Sequence, residues 1–233
     1  MKTIHKQGRS HASLLGVVFS SFLFFQCNPY PSSINVRAIF EHTYGSSLTM
    51  QVFVEGENGI SLNGGRVIVK APSGMSQLLR YNGTRACYEG TIQSPEGGTY
   101  LVSVKTTAYK DEFNLEIPCG ILTQTPSIID IQDSQGKSYI KGEKPNHALP
   151  LTISWNPVAG ATVYILRVYQ QANLIYVQTL TDSIALVPAN TLSGGTYAFS
   201  IEAQSISGDP LLLQEEYYAY SSCSGSSVVC TIE

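Results

Sequence analysis

Charge is scarce in this chain. Only 13% of its 233 residues are Asp, Glu, Lys or Arg, about half the usual share of roughly 25%. The 17 acids outnumber the 14 bases, for a net charge of −3. No basic stripe forms, which excludes the electrostatic footprint of a nucleic-acid binder. Histidine is rare too: beyond the first 27 residues only His42 and His147 occur, and no two cysteines stand in a C-x₂-C spacing. That excludes a zinc centre. The turn of a Ser-hydrolase elbow, G-x-S-x-G, is missing, as are the glycine patterns that cradle nucleotide phosphates. From Ile34 onward helical periodicity is nearly absent. Disorder is excluded as well, since 43% of residues are hydrophobic.

What is present is tyrosine, 14 of them, with 20 Gly and 11 Pro punctuating short extended runs. Such punctuation marks an all-β chain. The beginning differs from the rest. MKTIHKQGRSHA is basic and polar, and LLGVVFSSFLFF, Leu14 to Phe25, is apolar. A basic stretch before 7–15 apolar residues describes a secretory signal; the run is too short for a span of about 20 residues. Without Lys2, Lys6 and Arg9, Lys+Arg falls from 14 to 11 against 17 acids, a balance of −6.

At the end of the apolar run stands Cys27, with Leu23, Phe24, Phe25 and Gln26 before it. This segment resembles a bacterial lipoprotein signal of the loose, spirochaete-like kind. The resemblance implies cleavage before Cys27, a thioether to diacylglyceryl on its sulfur, and anchoring in a membrane. Each buried CH₂ contributes roughly 0.8 kcal/mol, so two or more acyl chains hold firmly. Position 28 is Asn and not Asp, which by the enteric-type rule favours the outer membrane. Residues 1–26 are thus expected to be a signal peptide and 27–33 a polar tether.

Four cysteines remain: Cys87, Cys119, Cys223 and Cys230. An even number in an exported protein suggests disulfides with three connectivities. Sequence neighbours, Cys87–Cys119 and Cys223–Cys230, make the simplest pairs.

Period-two alternation marks strands at 34–40, 48–54, 66–71, 76–81, 86–92, 99–106 and 112–117. Seven strands in about 85 residues fit an immunoglobulin-like sandwich over 34–119. A linker follows at 120–126, between Pro118 and Pro126. The second unit, 127–222, resembles a fibronectin type III domain. Its marks are Trp155, Pro157, Gly160, Ala161 and Tyr164 in one stretch, and Leu192, Tyr197, Phe199, Ile201 and Ala203 in another. The resemblance implies a second sandwich in tandem, with the Tyr197 hydroxyl bonding nearby backbone at a corner. Residues 223–233 are expected to be a cysteine-closed tail.

Chemistry is sparse. His42 lies near a strand end and His147 in a polar loop, both read as surface histidines. The adjacent acids Asp111-Glu112 and Glu215-Glu216 would point to opposite faces of a strand and not converge. Asp130 to Gly136 faintly suggests a calcium loop but lacks the remaining carboxylates. Tyr217, Tyr218 and Tyr220, with Tyr169 and Tyr176, make a candidate binding surface, because exposed tyrosines cover area at low entropic cost. Either Tyr218 and Tyr220 face inward and Tyr217 outward, or the reverse. The expected function is a non-catalytic, lipid-anchored binding or spacer module of the cell envelope, adhesin-like, without cofactor. Its partners are a membrane and a protein of unknown identity. The alternatives are an accessory subunit of an envelope complex or, remotely, an enzyme with an unrecognised site.

Overall fold

The computed structural model describes residues 34–57, 59–107, 112–140, 144–209 and 216–233, and these are all-β. The first sandwich holds β1 (Ile34–Thr43), β2 (Leu48–Gly56), β3 (Gly65–Lys70), β4 (Ser76–Leu78), β5 (Arg80–Asn82), β6 (Cys87–Ile92), β7 (Gly98–Thr106) and β8 (Phe113–Cys119). Alternation decides which side of each strand is buried. In β1 Val36, Ala38, Phe40 and His42 turn inward while Asn35, Glu41 and Thr43 are exposed. In β7 Tyr100, Val102 and Val104 turn inward. Burying each large side chain contributes about 1.5–3 kcal/mol. The run at 76–81, expected as one strand, is divided: β4 pairs with β3 and β5 with β6, in different sheets. Leu79 between them is buried and its amide bonds the Val67 carbonyl.

The second sandwich holds β9 (Ile128–Asp133), β10 (Leu151–Trp155), β11 (Val163–Gln170), β12 (Asn173–Leu180), β13 (Ile184–Val187), β14 (Gly195–Gly208), β15 (Tyr217–Ser224) and β16 (Val228–Ile232). A three-stranded sheet, β13-β10-β9, faces β12-β11-β14 with β15 and β16. Trp155 packs edge-on against Tyr164 at 5.5 Å between centroids. The Tyr164 hydroxyl accepts the Val158 amide at 2.8 Å. Tyr197 is buried and its hydroxyl donates to the Ser193 carbonyl at 3.0 Å, the corner contact that the fibronectin resemblance implied. The first sandwich uses the same device, with the Tyr100 hydroxyl donating to the Glu96 carbonyl at 2.7 Å.

The two units are more than consecutive. β14 runs 14 residues, long enough to leave the second sandwich and carry β15 back to the first. There Tyr217–Ser222 pairs in parallel with Ala38–Thr43 of β1. One sheet therefore runs β12-β11-β14-β15-β1-β2-β6-β5 across both units. Ala219 belongs to the first core, and Tyr217 packs against it. Cys223 and Ile232 belong to the second. Because β1 ends at the joint, Ile34 lies at the far pole of the first sandwich, roughly 30 Å away at about 3.3 Å per residue. At the joint the chain segments press together: a Cβ on Gly120 would strike the Ser205 hydroxyl, and one on Gly225 would strike the Pro126 carbonyl.

Candidate functional site

β15 presents two faces at the joint. Inward are Tyr217, Ala219 and Ser221; outward are Tyr218 and Tyr220, which settles the parity that alternation alone left open. The two outward rings lie nearly parallel, 6.2 Å apart. Glu202 on β14 stands beside them and accepts the Tyr220 hydroxyl at 3.2 Å. Gln204 donates to the same carboxylate at 2.7 Å, and Arg167 pairs with it. Burial pushes the Glu202 carboxyl up, but these donors and the Arg167 charge more than offset it, and the group titrates below its ordinary value. Both tyrosine hydroxyls are pushed up, chiefly by burial; Glu202 and Tyr218 add to the rise at Tyr220 while a hydrogen bond to Ser222 opposes it, and Glu41 adds to the rise at Tyr218. Further along the same face Arg37 pairs with Glu55 at 2.8 Å and lies over the Phe53 ring. The result is an aromatic and polar face that follows one sheet through both sandwiches.

A cleft of about 390 Å³ opens at the joint beside the linker, lined by His42, Tyr44, Ser46, Ser47, Gln93, Ser94 and Thr123 among others. His42 is buried, not a surface histidine as expected. Its inward parity with Val36, Ala38 and Phe40 was the signal in the sequence. Burial holds its pKa below the ordinary value, with a backbone hydrogen bond to Ser46 opposing. Ser221, the serine beside it, has no counterpart in any sequence motif.

The tyrosines divide. Tyr169 is half-buried and pairs with Ala198. Tyr176 packs against the second core and its hydroxyl donates to Gln178 at 3.2 Å. Neither shares the Tyr218–Tyr220 strand. Cys27, Asp111 and Glu215 lie outside the described residues. His147 bonds the Glu233 carbonyl at 2.8 Å. The carboxylates of the faint calcium loop are engaged by protein donors: Asp130 by Ser138 and Gln132, Asp133 by Tyr139 and two backbone amides.

The expected disulfides are corrected. Cys87, Cys119, Cys223 and Cys230 are free and buried. A disulfide needs Cα atoms within about 7 Å. Cys223 pairs with Ala203 and Cys230 with Tyr197, six positions along β14, which is about 20 Å. Cys87 opens β6, whereas Cys119 pairs with Gly98, beyond the opposite end of β6. Proximity in sequence misled because each pair is separated by the length of a strand. Instead Cys223 Sγ donates to the Gln124 carbonyl at 2.8 Å, tying β15 to the linker. Burial pushes the Cys119 thiol up to about 12.

No protein-family model matches the chain, and no curated protein matches it. Among solved structures it is similar to the chicken CNTN1 FN1–FN3 domains, at 14% identity over 88% of this chain and 65% of that one, with a TM-score of 0.44. It is also similar to the fibronectin(III)-like modules of Clostridium thermocellum CbhA, at 11% identity over 86% and 94%, TM-score 0.37. A third is the BSP domain of a biofilm associated protein, at 14% identity over 83% of this chain and 29% of that one, TM-score 0.27. The chain thus spans less than two thirds of the first and less than a third of the last. The strand pairing above carries the fold.

Proposed function

We propose that this chain is a lipid-anchored cell-envelope protein that holds a binding surface at a fixed distance from the membrane. The observation that carries the reading is the parallel pairing of β1 with β15. It fuses two sandwiches into one stiff body whose tethered pole, at Ile34, points away from the second sandwich. A lipid on Cys27 and the short segment 28–33 would then project the second sandwich outward. The outer sheet face around Tyr218 and Tyr220 serves as the binding surface, since rigid rings beside a carboxylate and amide combine contact area with hydrogen-bonding groups.

The anchor is tested by growing cells on radiolabelled palmitate. Wild-type chain takes up label and Cys27→Ser does not; equal labelling of both removes the anchor from the proposal. Protease added to intact cells then separates an outward-facing protein, which is cleaved, from a periplasmic one, which is spared.

A further inference from the structure

β12 ends the nine-stranded sheet with no strand on its outer side among the described residues. Proteins guard such edges with charge, proline, bulges or brevity, because the free backbone amides and carbonyls recruit any extended chain. β12 is eight residues long. No charged residue occurs between Arg167 and Asp182, and no proline between Pro157 and Pro188. Its exposed side chains are uncharged, and three are large and apolar: Leu174, Ile175 and Val177 are 51%, 45% and 53% exposed, beside Asn173 and Thr179. The sheet's opposite edge contrasts with it. β5 has three residues and begins with Arg80. The edge strand β8 carries Glu116 and Pro118, and β9 carries Asp130 and Asp133.

We infer that β12 is a self-association edge, at which a second copy of this chain adds its own β12 antiparallel. Three observations select the second copy as occupant. The strand is neutral, so it opposes itself without like-charge repulsion. It is the one long unguarded edge among the described strands, so pairing edge to like edge closes a two-fold dimer and leaves nothing to propagate a fibre. Its usable stretch is self-complementary. The register shift against Val168 and Tyr169 leaves Ile175 bulged, which confines regular pairing to Tyr176–Leu180. A two-fold at Gln178 then sets Val177 opposite Thr179 of the second copy, both on the outer face.

The test uses full-length chains carrying two different epitope tags, co-expressed and extracted together. Capture of one tag recovers the other. Val177→Lys with Thr179→Lys in both copies places lysine opposite lysine and lowers recovery about tenfold, as does the matching pair Val177→Glu with Thr179→Glu. Mixing the lysine copy with the glutamate copy restores recovery, which a folding defect would not allow. Absence of recovery in the wild type, recovery insensitive to the lysine pair, or failure of the mixture to restore it each overturns the inference.

Discussion

The imidazole Nδ1 of His42 lies 2.9 Å from the hydroxyl oxygen of Ser221, across 179 positions of sequence. The same oxygen accepts the Leu122 amide at 3.0 Å, so one fully buried hydroxyl joins β1, β15 and the linker. Replacing Ser221 by Ala strands a buried amide without an acceptor. The expected loss is about 1–3 kcal/mol, read from the midpoint of urea unfolding. An unchanged midpoint would show that the linker amide is satisfied otherwise.

His42 also sets a pH dependence. Burial holds its folded pKa below the ordinary value, so the unfolded chain binds the proton first as pH falls. The stability it contributes is fully present above about 6.5. It declines as pH drops from there through the folded value, because the unfolded state then holds more protons. Unfolding midpoints measured from about pH 8 to about pH 5 should fall in the wild type and fall less in His42→Gln. Parallel curves would assign the slope to other groups.

Ala219 tests whether the sandwiches unfold together. It is 1% exposed and sits in the first core, whereas the single tryptophan, Trp155, lies in the second. Ala219→Asp buries an unpaired charge and should destabilise by about 4 kcal/mol or more. If the shared sheet makes one cooperative body, Trp155 fluorescence and circular dichroism shift to the same lower midpoint. A tryptophan transition that stays in place would mean that the second sandwich stands alone.

The β11–β12 hairpin carries removable strain. Its turn residues, Gln171 and Ala172, have φ of +47° and +69°, the conformation for which hairpins favour Asn-Gly. Left-handed backbone costs a residue with a side chain roughly 1–2 kcal/mol. Gln171→Asn with Ala172→Gly should therefore raise stability by about 1 kcal/mol, as a higher urea midpoint at unchanged slope. A lower midpoint would show that side-chain contacts at the tip outweigh the backbone.

Much of the strand content was legible because alternation is a local signal. LTMQVFV and TYLVSVKT report their own buried side without reference to any partner, and both lie inside observed strands, β2 and β7. Trp155 and Tyr197 marked the second sandwich through the fibronectin type III resemblance. What stayed hidden was pairing. Nothing near Ala219 announces that it pairs with Phe40, and nothing near Leu79 announces that the chain changes sheets there. The cysteines mislead on the same point, since closeness in sequence is not closeness in space along strands that hold them apart. For the binding surface, the tyrosines were visible but their side was not. Glu202, which organises them, reads in sequence as one more outward position of a long strand.

The sharing of β15 also fixes an order of assembly. A ribosome making this chain releases the first seven dozen residues of sandwich material long before Tyr217 to Ser222 exist, and until then β1 has a bare flank where its neighbour belongs. The amino-terminal unit must wait for nearly the whole polypeptide before it closes. Any export route that carries the chain unfolded suits such a molecule, and synthesis interrupted before residue 217 yields a product with an open, adhesive sheet and not a smaller finished domain.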